Sequence, residues 1–199
     1  MRLSKLTAAL STMAVACLAL SGSGFAQNEN LTFTMVPTAG VQSCVPAKGR
    51  VTITHTLTLV ENMHVEVSGL PKNTDFDLFV IQVPRSPFGL SWYMGDMFTD
   101  AHGVAVGDFI GRFNIGTFIV APGTAPAPVV LAGDASSNPA TAPVQLYHLG
   151  LWFDSPAAAN AAGCGSVVTP FNSTHNAGVQ ILNTSNFSNG NGPLRGVNR

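Results

Sequence analysis

The stretch RVTITHTLTL at residues 50–59 alternates between two kinds of side chain. Val51, Ile53, Leu57 and Leu59 share one parity, and threonine occupies positions 52, 54, 56 and 58 of the other. Successive side chains of a strand point to opposite faces, so this pattern predicts a strand with one buried apolar face and one polar face. Valine, isoleucine and threonine also favour strands, because branched side chains pack well on a pleated surface.

The same period of two extends outward through most of the chain. Residues 63–67 alternate again, with His64 and Glu66 at the polar parity, while residues 75–83 (DFDLFVIQV) form the longer apolar run expected of a central strand covered on both faces. Further strands are predicted at residues 31–36, 92–99, 104–113, 117–121, 129–131, 144–153 and 179–182.

Turn-forming residues separate these strands. Asp100 and Gly103 occupy the first and fourth positions of a type I turn, which would join residues 92–99 to residues 104–113 as a hairpin. Regular strands joined by such turns predict an all-β fold, and specifically an antiparallel β-sandwich.

The corner GLPKNTDF at residues 69–76 places a Leu-Pro turn before Thr74 and Phe76. This stretch resembles the corner of immunoglobulin-like and fibronectin type III domains, in which an aromatic residue opens the next strand. Phe76 stands where those domains carry tyrosine, so the tyrosine hydroxyl is missing. The resemblance covers eight residues and implies an immunoglobulin- or fibronectin-III-like sandwich without implying a function. A jelly-roll-like sandwich is the alternative.

One short helix is predicted near residues 156–162. Ser155 suits the N-cap, Pro156 suits the first helical position, alanines fill the body and Gly163 follows as the C-terminal stop. The helix delivers the chain to Cys164.

The N-terminus has the order of a signal peptide. Arg2 and Lys5 precede an apolar run at residues 6–20, and small residues lead to Ala26, after which we expect cleavage. The pattern predicts a secreted or periplasmic protein. The alternative is lipidation at Cys17, which we disfavour because the apolar run continues beyond it. No transmembrane segment is predicted, since the run is shorter than the roughly 20 residues that span a bilayer.

Cleavage leaves a single predicted β-sandwich domain at residues 27–182 and a polar, loosely held segment at residues 183–199, in which Phe187 and Leu194 are the apolar anchors. Loss of Arg2 and Lys5 reduces nine basic residues to seven, against ten acidic residues, so the net charge becomes about −3. A small negative charge provides no basic surface for binding nucleic acid. No cofactor is predicted.

The cleaved chain retains two cysteines, Cys44 and Cys164. An even count in an oxidising compartment predicts one disulfide between them, and two free buried thiols are the alternative.

Four sequons would be glycosylation candidates in a eukaryotic host. They begin at Asn30, Asn172, Asn183 and Asn186.

A binding loop is the first functional candidate, at residues 84–96. It joins stiff prolines and permissive glycines to hydrogen-bonding and aromatic side chains, a combination that suits stacking on a sugar or gripping a peptide. The candidate ligand-binding residues are Arg85, Phe88, Trp92, Tyr93 and Asp96. The structural alternative is that Phe88 and Trp92 cap the end of the core.

Metal binding and catalysis have weaker support. His64, His102 and His148 are the weak metal candidates, and together with methionines they suggest copper, but no histidine pair has ligand spacing and no metal site is predicted. No paired carboxylates or nucleophile motif indicate catalytic residues.

The sequence therefore predicts a non-enzymatic extracytoplasmic protein that binds a glycan or an envelope or extracellular protein, or that is a structural surface component. A periplasmic copper-binding protein and a small secreted hydrolase are the alternatives.

Overall fold

The computed structural model describes residues 30–56, 60–114, 116–119, 144–171 and 175–197. Several predicted features lie outside these residues. They are the signal peptide, the lipidation alternative at Cys17, Leu57 and Leu59 of the stretch at residues 50–59, the strand at residues 129–131 and the sequon at Asn172.

The described residues form ten strands, one α-helix and one 3₁₀ helix. The strands are β1 (Leu31–Pro37), β2 (Lys48–His55), β3 (Glu61–Ser68), β4 (Asp75–Ile81), β5 (Ser91–Phe98), β6 (Ala105–Gly111), β7 (Phe118–Ile119), β8 (Val144–Gln145), β9 (His148–Phe153) and β10 (Gln180–Asn183). The helices are α1 (Pro156–Ala161) and the 3₁₀ helix (Pro193–Gly196). The strand predicted at residues 144–153 is divided into β8 and β9.

Eight strands make one antiparallel sheet in the order β5-β4-β9-β10-β1-β2-β3-β6, and β7 pairs separately with β8. The sheet curls until its two edges approach each other. A Cβ added to Gly95 of β5 would lie 3.0 Å from the ring of Phe109 of β6. The all-β antiparallel prediction is confirmed, and the architecture is a near-barrel consistent with a sandwich.

The turn at Asp100–Gly103 forms as predicted. The Gly103 amide donates to the Asp100 carbonyl at 3.1 Å, and the Asp100 side chain accepts from the amides of His102 and Val104. The predicted hairpin pairing is wrong, however, because β5 pairs with β4 while β6 pairs with β3. The turn therefore joins the two edge strands of the sheet.

The interior of the near-barrel is filled by apolar side chains at alternate positions of its strands. Val51 and Ile53 of β2 are fully buried, and across the ladder they meet Val65 and Met63 of β3. Burying each such side chain stabilises the fold by about 1.5–3 kcal/mol. The alternation predicted from residues 50–59 is thus confirmed over the part of that stretch that the structure describes.

Strand β4 is covered on both faces, as its continuous apolar run predicted. Phe76, Leu78 and Val80 face the main core, while the opposite parity carries Phe79 and Ile81. A second, smaller apolar layer covers this outer face. It consists of Ile81, Trp152 and Ala177 with Phe79 and Phe88 packed against them.

The predicted helix and disulfide are both present. The Ser155 hydroxyl accepts from the Ala158 amide at 3.2 Å, and Gly163 ends the helix with a φ of +74°. Beyond it, the Cys164 amide donates to the Ala159 carbonyl at 2.9 Å, and Cys164 is bonded to Cys44. The bridge ties the loop after β1 to the segment after α1.

The chain after β10 contacts the near-barrel through the two apolar anchors that the sequence indicated. Leu194 is fully buried, and its amide donates to the Tyr147 carbonyl at 3.2 Å. Phe187 packs edge-on against Phe33, with ring centroids 6.2 Å apart. No helix within the described ranges is long and apolar enough to cross a membrane.

Candidate functional site

A cleft of about 1000 Å³ lies on the outer face of the sheet, over β4, β9 and β10. Its floor is made by Phe79, Trp152 and Gln180, one from each strand. Strand alternation places them there, since Leu78 and Leu151 at neighbouring positions face the main core. This volume is at the upper end of the range typical of small-molecule sites.

Gly150 allows the floor to be flat. A Cβ at this position would lie 2.4 Å from Cζ3 of Trp152 and 2.7 Å from Nε2 of Gln180. Both distances are too short for non-bonded atoms, so only glycine lets the indole ring and the amide lie over this point of β9.

Aromatic contacts hold the Trp152 ring in place. Its centroid lies 5.3 Å from that of Phe79 and 5.0 Å from that of Phe88, and both pairs are edge-to-face. Phe79 also meets Phe171 edge-to-face at 5.2 Å. Such pairs each contribute about 0.5–1.5 kcal/mol beyond burial, so the floor is a packed surface with fixed rings.

One wall of the cleft is the loop between β4 and β5. The Gln82 amide donates to the Leu90 carbonyl at 2.9 Å, and the Val83 amide donates to the Phe88 carbonyl at 3.1 Å. Gly89 has a φ of +72°, a left-handed conformation that favours glycine. The closed loop presents Phe88 to Trp152.

The opposite wall comes from the segment after the disulfide. The Thr169 amide donates to the Ala177 carbonyl at 2.8 Å, and its hydroxyl donates to the Gly178 carbonyl at 2.7 Å. The Gly178 amide in turn donates to the Phe153 carbonyl at 2.7 Å, which fastens the segment to the end of β9. Phe171 completes this wall.

Two buried donors at the cleft have no hydrogen-bond partner among the described residues. They are Nε1 of Trp152 and Nε2 of Gln180, and each residue is only 3% exposed. The Gln180 oxygen is already engaged, because it accepts from Thr38 at 3.1 Å and from Asn183 at 2.9 Å. A buried donor left without a partner costs about 1–3 kcal/mol, so this pair points to an acceptor that a ligand supplies.

An acidic cluster adjoins the cleft. Nε2 of His175 lies 2.9 Å from Oδ1 of Asp154 and 3.9 Å from Oδ2 of Asp77. On the strand beside Asp77, the Tyr93 hydroxyl donates to Oδ1 of Asp96 at 2.5 Å. Phe171 links the cluster to the cleft, since its ring lies 5.4 Å from that of His175.

Asp77 is the unusual member of the cluster. It is fully buried, and as a carboxylate neither of its oxygens accepts a hydrogen bond from a described residue. Burial raises its pKa to about 7, helped by the negative charges of Asp154 and Asp96 and opposed by His175. By contrast, the buried carboxylate of Glu61 accepts from the amide of Phe113 at 2.7 Å and from the side chain of Asn114 at 3.0 Å.

The structure divides the five sequence-predicted binding residues among three places. Arg85 and Phe88 line the cleft. Tyr93 and Asp96 lie in the acidic cluster, where burial and the hydrogen bond to Asp96 raise the pKa of Tyr93. Trp92 pairs with Val80 on the opposite face of the sheet, is 56% exposed and does not line the cleft.

The three weak metal candidates lie apart from one another. His64 contacts Asp108 through Nδ1 at 2.9 Å on the polar face of β3. His102 is an exposed residue of the Asp100–Gly103 turn. His148 is buried on β9 between the Thr184 hydroxyl, 2.9 Å from Nδ1, and the Asn189 carbonyl, 3.1 Å from Nε2.

His148 predicts a specific pH dependence of stability. Burial lowers the pKa of His148 below its usual 6.5, so the ring is neutral at neutral pH, and its one proton is on Nε2 because the Asn189 carbonyl only accepts. The contribution of His148 to the free energy of unfolding is complete above pH 6.5. It falls as the pH drops through 6.5 toward the folded-state pKa, because the unfolded chain then binds a proton that the folded chain does not.

We therefore expect wild type to lose stability relative to His148→Gln as the pH falls below 6.5, by at most about 1.4 kcal/mol per pH unit. Urea unfolding of both proteins at pH 8, 6 and 5 measures the difference. A difference between the two proteins that stays constant with pH would contradict the neutral-ring assignment.

Sequence reasoning missed Phe79, Trp152 and Gln180 on the cleft floor, and Asp77 and Asp154 in the cluster. Each lies within or beside an apolar run that is buried on both faces, so no periodicity marked it. Asp77, an acid within the mainly apolar run DFDLFVIQV, was the one signal of the cluster that the sequence offered. No protein-family model matches this chain, and a search of curated proteins finds no similar sequence.

Proposed function

We propose that this is an exported binding protein, and that its ligand is a small, mainly apolar organic molecule carrying a carbonyl or carboxylate oxygen. The single observation that carries the proposal is the aromatic cleft with two buried donors, Trp152 Nε1 and Gln180 Nε2, that have no hydrogen-bond partner in the part of the chain that the structure describes. Export is supported by the leader pattern and by the Cys44–Cys164 bridge, which suits an oxidising compartment.

The ligand class follows from what the cleft offers. Phe88, Phe171 and the valines at 167 and 168 make the walls apolar. The polar groups that remain unused on its floor are donors, and the guanidinium of Arg85 adds a positive charge at the rim. Donors and a cation surrounded by rings favour an oxygen acceptor on an apolar body.

This lining favours such a molecule over the glycan that the sequence suggested. A sugar needs an open aromatic face and several polar partners, whereas the Trp152 ring is 3% exposed beneath Phe79 and Phe88. A glycan therefore becomes an outcome of the test.

The test uses ligands that share one ring body. Isothermal titration calorimetry is carried out with 2-naphthoate, which offers a carboxylate, with 2-naphthamide, which offers a carbonyl, and with a soluble naphthalene that has no acceptor. Chitotriose represents a glycan. The protein is taken from the extracytoplasmic fraction, where we expect it to begin at Gln27. We expect binding to weaken in the order carboxylate, amide, no acceptor.

Trp152→Phe should weaken the first two ligands by roughly 3- to 10-fold, the worth of one hydrogen bond, and leave the third unchanged. Trp92→Phe is the matched control, because the chain has two tryptophans and Trp92 lies outside the cleft. That control also leaves Trp152 as the only tryptophan, so tryptophan fluorescence then reports on the cleft. Binding of chitotriose alone, or equal loss in both variants, would refute the proposed site.

A further inference from the structure

We propose that Asp77, Asp154 and His175 form a binding site for one Zn²⁺ ion, distinct from the cleft. The three residues come from the middle of β4, the end of β9 and the segment before β10. One ligand atom from each lies within 4.8 Å of the others. The fold therefore brings together two carboxylates and one imidazole that are far apart in the sequence.

The spacing of these atoms fits a single ion. Donors bound to Zn²⁺ at about 2.0–2.1 Å in tetrahedral geometry lie roughly 3.3 Å apart. The measured separations from His175 Nε2 are 2.9 Å to Asp154 and 3.9 Å to Asp77, which bracket that value. Small side-chain rotations would bring all three onto one ion.

The state of Asp77 is an independent observation that points to a cation. Its side chain is fully buried and lies close to Asp154 and His175, and neither oxygen accepts a hydrogen bond from a donor among the described residues, because its cross-strand neighbour Asp96 is a second acid. Buried charges in proteins are paired or coordinate metals. The Asp154–His175 contact does not meet this need, since the imidazole lies a full 3.9 Å from Asp77.

The donor set selects the metal. Two carboxylates balance the charge of a divalent ion, and an imidazole favours zinc over magnesium and calcium, which prefer oxygen ligands alone and more of them. The Asp154 and His175 side chains are 34% and 39% exposed, so an ion reaches Asp77 from solvent past them. Three protein ligands leave a fourth position open.

The experiment is titration of the full exported protein, prepared without a histidine tag and stripped with chelator, against Zn²⁺ in competition with a chromophoric chelator. We expect one ion per chain, no comparable binding of Mg²⁺ or Ca²⁺, and a loss of affinity of roughly 100-fold or more in Asp77→Asn and in His175→Ala. Asp77→Asn keeps the shape of the side chain, so circular dichroism should show an unchanged fold.

His64→Ala is the matched control. His64 also has two neighbouring carboxylates, Asp108 at 2.9 Å and Glu66 at 3.9 Å. Both of these carboxylates are exposed to solvent, unlike the buried carboxylate of Asp77. This variant should retain full stoichiometry. Absence of Zn²⁺ binding by wild type, or binding that survives both Asp77→Asn and His175→Ala, would overturn the site. Trp152→Phe should not affect Zn²⁺, so failure of the cleft and failure of the metal site are distinguishable.

Discussion

Replacing both Cys44 and Cys164 with serine should lower the free energy of unfolding by about 5 kcal/mol. The bridge closes a loop with a sequence separation of 120 residues. In the chain-entropy model, releasing a loop of this length restores that amount of conformational freedom to the unfolded chain. A loss of this size is a large fraction of the roughly 5–15 kcal/mol that stabilises an ordinary domain.

Urea unfolding followed by circular dichroism measures the change. The double variant is the appropriate protein, because a single replacement leaves a reactive thiol. Wild type unfolded in reducing agent is its control, since it breaks the same bond without altering the packing of Cys44 and Cys164 against the core. Agreement between the two is expected, and a loss below about 1 kcal/mol in both would show that the bridge does not constrain the unfolded chain.

Trp152→Ala should cost about 3–5 kcal/mol, the usual penalty for truncating a large buried aromatic. Trp152 joins β9 to the neighbouring strand β4 and to one wall of the cleft, because its ring contacts Phe79 on the floor and Phe88 of the β4–β5 loop. Its removal leaves a cavity between the sheet and the outer layer. We therefore expect Trp152→Ala to unfold at lower urea concentration and to lose 2-naphthoate binding.

The second tryptophan provides the comparison. Trp92 is 56% exposed, so Trp92→Ala should change stability by less than about 0.5 kcal/mol. Equal effects of the two substitutions would mean that the outer layer is not packed as a second core. The stability comparison uses far-ultraviolet circular dichroism, because each variant removes one of the two tryptophans.

The fold was largely predictable because its determinants are local. The threonine alternation in β2, the Asp100–Gly103 turn and the Ser155 cap each act within a few residues, and each occurs as expected. Strand pairing was not local. β5 and β6 adjoin the same turn yet are the opposite edges of the sheet, and curling of the whole sheet brings those edges together.

The candidate site was less predictable because it is assembled from distant parts of the chain. Arg85 and Phe88 stood out, since their loop is rich in proline and glycine, whereas Trp152 and Asp77 lie inside strands covered on both faces. Alternation cannot separate the two faces of such strands. Asp77 meets no hydrogen-bond donor among the described residues because of the groups that β9 and the segment before β10 bring near it, and no local sequence pattern indicates that.

The disulfide also links the redox state of the surroundings to the shape of the cleft. Cys164 immediately precedes the segment that carries Thr169 and Phe171, so the bond anchors the near end of that wall to the loop after β1. Among the described residues, reduction would leave the wall held by its hydrogen bonds to Ala177 and Gly178 and by the ring contacts of Phe171, and segments that have lost a tether open more readily. The wall of the cleft is therefore the part of the described structure that we expect to respond first when the bond is reduced.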